Sequence, residues 1–426
     1  MIVRMVIVVL GFTLACSGTP PTSPNQGLAS TPSPEAEDDE DDEDDDDSDD
    51  SDDSDDGSDA LDCGDGTIRP GRAPMRRLTV IEYDNTIRDL LGDDSSPAQR
   101  LVDAEPKTDN VDARPMTPLL AEQYMAVAED VAARAVTDLE ALLACDPTVS
   151  GEDPCVEGFL AEFLPRAYRR PVEATALDSM IEVYRIVRAA APYDVAVSAL
   201  LEAVLQSPGY LYRVELAVDT GPAVVRLDNG QLASRLSYLI WSTMPDSTRL
   251  SAAGSGELDT DAGVEEQARR MLADPRARPT VQRFFANWAE LHKLEDLVKD
   301  LTVFPDYHDG IPDLFRTETL AFIDEVLYEG DASWVTLLTA PWTMANEELA
   351  AYYGLEGAED PAFTRIERDP RYHAGLLTHG GVLASRDRAY ETSPIHRGMF
   401  VRAGLICGGP GSLPEPEISW SNILVR

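Results

Sequence analysis

Apolar residues recur every three to four positions through most of the chain from about residue 70 onward. One long stripe consists of Leu120, Tyr124, Val127, Val131, Ala135, Leu139 and Leu142. This spacing places the apolar side chains on one face of an α-helix. Thr117 can cap the start of that helix, and Pro118 suits its first position because the missing N–H would have no helical partner there.

Other stretches of the chain repeat the same period. They are residues 177–187, 200–205, 232–240, 284–291, 315–327 and 349–353. Asp194 and Asn346 stand where helix caps are expected, and Asp228 with Gln231 resembles a capping box. The sequence therefore predicts a succession of amphipathic helices with polar starts.

Strand signals are scarce. The short runs 224–227 and 363–366 are the candidates, and the sequence has no βαβ alternation, no glycine-rich phosphate loop and no convincing repeat period. Helices packed on helices are therefore expected. The predicted fold class is mainly all-α, with multi-helix bundle subdomains and few or no short strands.

The first residues have the pattern of an export signal. Arg4 precedes an apolar run that ends at Leu14, Ala15 and Cys16, and this run is shorter than the roughly 20 residues of a spanning helix. A cysteine in this position resembles a bacterial lipobox and predicts acylation of Cys16, which would anchor the chain to the membrane. Thr13 stands where lipoboxes prefer Leu, so ordinary signal cleavage beside an incidental cysteine is the alternative. Both predict an extracytoplasmic protein, either secreted or held at the outer membrane or cell surface.

Residues 17–69 have a low-complexity composition, first rich in Ser and Pro and then almost purely acidic. Such a segment cannot bury apolar surface and repels itself, so a disordered, solvated tether is expected. Weak calcium binding is the alternative, although the regular ligand loop is absent. The chain carries a formal net charge of −43, and the part beyond the tether is acidic too. This charge argues against nucleic acid as a partner.

Five cysteines are present in the sequence. If Cys16 is acylated, an even number remains, which in an exported protein indicates disulfides. Cys145 and Cys155 flank a short polar loop and form the natural local pair, which leaves Cys63 with Cys407. The sequence contains no CxxC and no CxxCH motif, so it predicts neither a c-type haem site nor a thiolate zinc site, and no other cofactor or metal.

Composition shifts and polar breaks suggest where the domains begin and end. The predicted division is a signal peptide with a lipobox-like end at 1–16, the tether at 17–69, an N-terminal helical domain at 70–145, a second helical domain at 146–220, a central helical domain at 221–355, a C-terminal domain at 356–416 and an irregular tail at 417–426.

Several long motifs follow one another in a fixed order. They are PMRRLT at 74–79, EYDNTIRDLLG at 82–92, RAYRRP at 166–171, LQSPGYLYRVE at 205–215, RLSYLIWSTMPD at 235–246, GLLT at 375–378 and TSPIHRG at 392–398. Together they resemble an uncharacterised family of secreted, cytochrome-associated multidomain proteins of planctomycetes and myxobacteria, which is built from linked domains of unknown function. An ordered series of long motifs is far more specific than one short pattern.

The resemblance implies an extracytoplasmic helical protein, and it brings no known reaction. Members of the family usually continue into a further domain with a CxxCH haem-type motif, whereas this chain stops at Arg426. Either the chain is a truncated relative of a c-type cytochrome-like protein, or it works without that domain. An electron-transfer role inferred from the family is therefore in doubt.

The sequence identifies no catalytic site. Its five histidines include no HExxH pair. Ser393, His396 and Arg397 form the most suggestive cluster, because a serine and a histidine three residues apart can meet on one helical turn. No nucleophile-elbow pattern surrounds Ser393. The alternative is a helix start at which Ser393 caps and Pro394 takes the first position.

Charged residues also stand beside apolar helices at Arg169, Arg170, Arg213 and Glu215. A buried arginine paired with a glutamate would hold subdomains together, because the planar guanidinium fits a carboxylate. The alternative is a pocket for an anionic ligand. Both interpretations remain open at this stage.

Three functions are consistent with these observations. The first is an exported, lipid-anchored binding or scaffold protein of unknown ligand, which works with extracytoplasmic redox or polymer-handling systems and has envelope proteins or polysaccharides as partners. The second is an extracellular hydrolase or carbohydrate-active enzyme. The third is the truncated cytochrome-like relative described above.

Overall fold

A computed structural model describes residues 75–101, 116–215, 227–246, 248, 253–357 and 360–406. These residues are mainly helical and contain two small antiparallel strand pairs. The predicted all-α fold class is therefore confirmed. Within the described ranges, none of the helices has both the length and the apolar character that crossing a bilayer requires.

The first half of the described chain is a bundle of long and short helices. Its helices are α1 (Val80–Leu91), α2 (Pro118–Ala135), α3 (Leu139–Leu143), α4 (Pro147–Ser150), α5 (Glu152–Tyr168), α6 (Ala174–Arg188), α7 (Tyr193–Gln206) and α8 (Pro208–Leu211). Helix α7 packs against both α2 and α6. Tyr83, Tyr124 and Tyr210 are buried in the core beneath α1, and their rings are in contact. The short strands β1 (Arg76–Arg77) and β2 (Tyr212–Arg213) close this half, with Arg76 opposite Arg213.

The second half combines helices with one short antiparallel pair of strands. Its helices are α9 (Asn229–Trp241), α10 (Asp261–Ala273), α11 (Ala277–Trp288), α12 (Ile311–Asp324), α13 (Trp334–Thr339), α14 (Glu347–Tyr353), α15 (Gly380–Ala384) and α16 (Pro394–Phe400). Strands β3 (Trp342–Ala345) and β4 (Thr364–Glu367) pair antiparallel. Helix α12 lies at the centre of this half, since α11, α15 and β3 all pack against it.

Most of the helix caps that the sequence indicates are present in the structure. Asp228 and Gln231 form both bonds of a capping box at α9, and Asn346 accepts a bond from the backbone N–H of Leu349 at α14. The prediction for Asp194 is wrong. Helix α7 begins after Pro192, so Asp194 lies inside the first turn, where a carboxylate still favours the positive end of the helix.

The strand candidate at 363–366 corresponds to β4, displaced by one residue. Most of the candidate at 224–227 lies outside the described residues. Strands β1 to β3 are not anticipated, because a run of two to four residues has too few positions to show an alternating pattern.

Hydrogen bonds hold the two halves together where α1 meets the end of α9. The amide of Asn85 donates to the carbonyl of Ser242 over 3.1 Å, and the hydroxyl of Thr243 donates to the carboxylate of Asp89 over 2.7 Å. These bonds join segments more than 150 residues apart in the chain. They fix the end of α9 next to the N-terminal bundle.

Cys145 and Cys155 form a disulfide that joins the end of α3 to the first turns of α5, with their Cα atoms 5.6 Å apart. Cys16, Cys63 and Cys407 lie outside the described residues, as do the predicted signal, tether and tail.

Candidate functional site

A cleft lies where the end of α5, strand β2 and helix α9 meet. It is lined by Tyr168, Arg169, Arg170, Arg213, Val214, Glu215, Gln231, Ser234 and Arg235. The space enclosed between these residues is small, about 20 Å³. The four charged residues that the sequence indicates together therefore line one cleft. A fourth arginine, Arg235, joins them from α9.

Arg169 is buried beneath the cleft and binds backbone carbonyls. Its guanidinium donates to the carbonyls of Gly209, Tyr210 and Tyr212 over 2.8, 2.7 and 3.0 Å, and to the hydroxyl of Tyr238 over 3.2 Å. This differs from the pairing with a glutamate that the sequence suggests. The guanidinium holds the turn between α8 and β2, whose carbonyls would otherwise lack a helical partner.

The backbone of Arg169 has a φ of 56°, in the left-handed region. This conformation ends α5, and the N–H of Arg170 then bonds to the carbonyl of Pro165. A left-handed residue at a helix end is normally glycine. The guanidinium of Arg169 makes buried hydrogen bonds that glycine could not make, which offsets the strain of this conformation. The turn places the next side chain, Arg170, in the lining of the cleft.

Tyr238 forms the floor on which two arginines rest. The guanidinium carbons of Arg169 and Arg213 lie 5.6 and 5.4 Å from the centre of its ring, which is cation–π distance. Its hydroxyl lies 2.9 Å from that of Thr86 on α1, and burial raises the pKa of Tyr238. Arg213 also lies 3.5 Å from the carboxylate of Glu82, the capping-box residue of α1.

The rim of the cleft is less constrained than its floor. Arg235 and Glu215 face each other fork to fork. The Nε of Arg235 donates to one carboxylate oxygen over 2.8 Å, and an Nη donates to the other. Arg170 is half-buried, and within the described residues its guanidinium has no hydrogen bond or ion pair. In the part of the chain that the structure describes, the cleft thus offers the cation of Arg170 without a partner, beside the fixed guanidiniums of Arg169 and Arg213.

Arginine stays protonated at any physiological pH and binds planar anions through two parallel N–H bonds. The chemistry available in the cleft is therefore anion recognition. Four arginines and the carboxylate of Glu215 line the cleft, and the carboxylate of Glu82 lies beside Arg213, on a chain whose net charge is −43. The cleft therefore carries a local excess of positive charge, whereas the chain as a whole is strongly negative.

A second polar cluster surrounds Glu318 on α12, inside the core of the second half. The hydroxyls of Thr343 and Tyr353 each donate to its carboxylate over 2.6 Å, and Arg368 lies 3.9 Å away. Burial raises the pKa of Glu318 to about 7. The carboxyl is fully buried, so it cannot reach a ligand without an opening of the core.

His379 lies beside this cluster with 1% of its surface exposed. Its ring packs edge-on against Phe322, and within the described residues neither ring nitrogen has a hydrogen-bond partner. Burial lowers its pKa to about 3, so the ring is neutral near pH 7. In the part of the chain that the structure describes, no group of three His, Cys, Asp or Glu side chains could hold a metal ion.

The cluster at Ser393 has the geometry of a helix start. The hydroxyl of Ser393 accepts from the backbone N–H of His396, while the ring of His396 lies 3.3 Å from the carbonyl of Arg386. Arg397 donates to the buried carboxylate of Asp387 over 2.8 Å. Serine and histidine side chains therefore do not form a nucleophile–base pair here. Their contacts anchor α16 to the preceding turn.

Sequence reasoning missed three residues that shape the cleft: Glu82, Arg235 and Tyr238. A signal for two of them exists, because Arg235 and Tyr238 lie three residues apart in the motif at 235–246 and so share a helical face. A signal also exists for Glu318, which lies three residues after Phe315 and four before Phe322 and therefore on the apolar face of α12.

The fold and the cleft define a multidomain helical protein whose charged site lies between domains. Three segments match families of unknown function. Residues 76–137 match PSD3 (DUF1587), residues 155–215 match PSD5 (DUF1595) and residues 227–355 match PSD4 (DUF1592). The chain therefore carries three linked domains of this multidomain family of unknown function. No curated protein and no solved structure matched the chain.

The matched segments place the cleft at a domain boundary. Tyr168 to Glu215 lie in the PSD5 segment, and Gln231 to Arg235 lie in the PSD4 segment. Ligand sites occur preferentially at such boundaries, because two rigid bodies create a concave surface between them.

Proposed function

We propose that this protein is an exported, lipid-anchored binding protein that holds an anionic ligand in the cleft between its PSD5 and PSD4 segments. The observation that carries the proposal is the guanidinium of Arg170, which has no hydrogen bond or ion pair within the described residues and lies beside the fixed guanidiniums of Arg169 and Arg213. Like charges are gathered there at a cost that an anion would relieve.

The arrangement favours binding over proton-transfer chemistry. The arginines of the cleft cannot exchange protons near neutral pH, and the carboxylate of Glu215 is engaged by Arg235. Export is proposed from the signal-like N-terminus and the lipobox-like Cys16, and the disulfide between Cys145 and Cys155 fits an oxidising compartment. Envelope proteins and acidic polysaccharides are the partners such a protein would meet.

Calorimetric titration of the purified full chain with two polyanions, dextran sulfate and polygalacturonate, tests the proposal. We expect at least one of them to bind, and Arg170→Ala to weaken that binding about tenfold or more, the value of one charge-assisted hydrogen bond. The matched control is Arg371→Ala, which removes an arginine that is 76% exposed and paired with Asp369. Equal loss in both variants, or no binding by the wild type, would contradict the proposal.

A further inference from the structure

The last helix of the described chain turns an apolar stripe to the solvent. Ile395 and Met399 lie one turn apart on α16, with 75% and 53% of their surfaces exposed. The helix continues as a π-helical turn at Val401–Leu405, and the stripe continues with exposed Ala403 and with Ile406, which is 71% exposed. An amphipathic helix of a globular protein normally turns its apolar residues to the core. The stripe formed by these four residues is instead left uncovered by the described part of the chain.

Contacts on the opposite side fix the orientation of this helix. The ring centres of Phe400 and Trp288 lie 5.1 Å apart, and the Nε1 of Trp288 donates to the carbonyl of Gly404 over 3.1 Å. Arg397 donates to the carboxylate of Asp387 over 2.8 Å. The helix is thus held by its other face, and turning the stripe inward would break all three contacts.

We propose that the stripe is the docking site for a segment of the same chain, residues 412–426. The proposal does not depend on anion binding in the cleft. The segment lies outside the described residues, and its sequence has the matching chemistry, because large apolar side chains are concentrated at Ile418, Trp420, Ile423, Leu424 and Val425. Such a cluster is unfavourable in water and gains free energy when a complementary apolar surface is within reach.

The chain leaves the stripe close to the segment that would cover it. Ile406 is followed by CGGPG at 407–411, and glycine and proline are the residue types that reverse the chain direction. The eleven residues 407–417 can span up to about 36 Å, whereas the stripe from Ile395 to Ile406 is about 16 Å long. Residues 418–425 can therefore reach every part of the stripe.

A covalently attached segment is favoured over a second copy of the protein. The link gives the segment an effective concentration of about millimolar, so docking avoids the cost of bringing two molecules together. Two copies, each with a net charge of −43, would repel each other. Segment 412–426 contains only Glu415, Glu417 and Arg426 as charged residues, and residues 394–406 contain no acidic residue. No repulsion between carboxylates of the two segments therefore opposes docking.

Oxidation of methionine by hydrogen peroxide, followed by mass spectrometry of the purified full chain, tests the proposal. Met399 lies in the stripe, and Met125 on α2 is the internal reference because its exposed fraction of 44% is close to the 53% of Met399. A docked segment would shield the thioether of Met399, and oxidation depends on access. We expect Met399 to oxidise at least fivefold more slowly than Met125. Equal rates would overturn the proposal.

Two variants of the segment distinguish it from other covers. Trp420→Ala combined with Leu424→Ala should raise the oxidation rate of Met399 to that of Met125. Ser421→Ala combined with Asn422→Ala is the control, since it keeps the apolar side chains and should leave the protection intact. The protection should not change with protein concentration, because the segment docks within its own chain. Protection that survives the first variant overturns the proposal, and loss of protection on dilution would assign the stripe to a second copy instead.

A change in the stripe itself gives an independent measurement. Ile395→Glu places a charge in the apolar surface and should speed the oxidation of Met399 at least threefold by releasing the segment. Ile186→Glu on α6 is the matched control, because that isoleucine is also exposed, at 64%, and should leave the rate unchanged. Circular dichroism verifies that each variant is folded. Equal oxidation of Met399 in Ile395→Glu and the wild type would count against docking on the stripe.

Discussion

Two consecutive arginines, Arg169 and Arg170, have opposite surroundings. Arg169 ends α5 in a left-handed conformation and turns its guanidinium into the core, where four oxygen atoms accept its N–H bonds. Arg170 borders the cleft without a side-chain partner in the described residues. The same side chain therefore has a structural role at one position and is available for a ligand at the next.

Arg169→Ala should lower the free energy of unfolding by about 3 kcal/mol. The substitution removes a buried charged donor and leaves the carbonyls of the turn at 209–212 unsatisfied. Breaking a buried ion pair lowers the free energy of unfolding by about 3–5 kcal/mol, and the loss is somewhat smaller when the acceptors are neutral carbonyls. Urea unfolding followed by circular dichroism measures the change. Arg170→Ala is the control and should cost less than about 0.5 kcal/mol, because its guanidinium makes no hydrogen bond or ion pair within the described residues. Equal destabilisation by both substitutions would show that the carbonyl contacts of Arg169 are not important for stability.

Glu318 should make stability depend on pH. Its pKa is raised from 4.5 to about 7 in the fold, since burial outweighs the hydroxyl donors. A raised carboxyl pKa means that the folded state prefers the protonated form. Its contribution is therefore fully present below pH 4.5 and is lost as the pH rises through 7.

Glu318→Gln keeps a neutral group at every pH, so it should gain stability relative to the wild type as the pH rises from 5 to 8. The relative gain is expected to reach about 3 kcal/mol, because a tenfold change in proton affinity corresponds to about 1.36 kcal/mol. His379 acts in the opposite direction, because its lowered pKa makes stability fall as the pH drops from 6.5 toward 3. Subtracting the variant from the wild type removes this common contribution. Parallel stability curves in urea unfolding at several pH values would refute the assignment.

At the scale of elements, the disulfide joins α3 to α5 across the short helix α4. Cys145 follows α3 and Cys155 lies in the first turns of α5, at a sequence separation of 10. The covalent link restricts the unfolded chain, which is the main source of its stabilisation in the chain-entropy account.

Cys145→Ser combined with Cys155→Ser should lower the free energy of unfolding by about 3 kcal/mol, the value for a closed loop of about ten residues. The measurement is urea unfolding with and without a thiol reductant. The reductant should destabilise the wild type and have a smaller effect on the double variant. A wild type that is insensitive to reduction would mean that the bond does not contribute to stability.

Long helices were the elements that the sequence could predict. Helix α2 begins at Thr117 and Pro118 as expected, and α9 begins with the capping box of Asp228, because period and caps are local properties. The strand pair β1–β2 was not predictable, since two-residue strands have no period and their pairing joins positions more than 130 residues apart. Tertiary contacts alone decide such elements.

The site was predictable only in part, for the same reason. Arg169, Arg170, Arg213 and Glu215 stand out in the sequence as charges beside apolar helices, and all four line the cleft. Their partners do not stand out. The carbonyls that bind Arg169 and the ring of Tyr238 beneath Arg213 come from other segments, so the sequence could not distinguish the buried structural arginine, Arg169, from Arg170 in the lining of the cleft.

The whole molecule combines an acidic chain, a cationic cleft and a proposed membrane anchor. A binding protein with a net charge of −43 would repel a polyanion over distances up to about one Debye length, roughly 8–10 Å at physiological salt. Attachment at a surface that carries the ligand would offset this repulsion, because a tethered site meets its ligand at a high effective concentration. The anchor at Cys16 and the cleft therefore belong to one hypothesis.

Cys16→Ser should release the protein from the membrane fraction and abolish its labelling by a palmitate analogue. The reason is that a serine hydroxyl lacks the thiol on which the lipid is built, while the rest of the signal still directs export. Cys63→Ser is the matched control, and it should keep both the label and the membrane location. Label that persists in Cys16→Ser would remove the anchor from the hypothesis. The cleft would then have to bind its polyanion from solution against the charge of the chain, and raising the salt concentration from low to physiological values should in that case speed association by screening the repulsion.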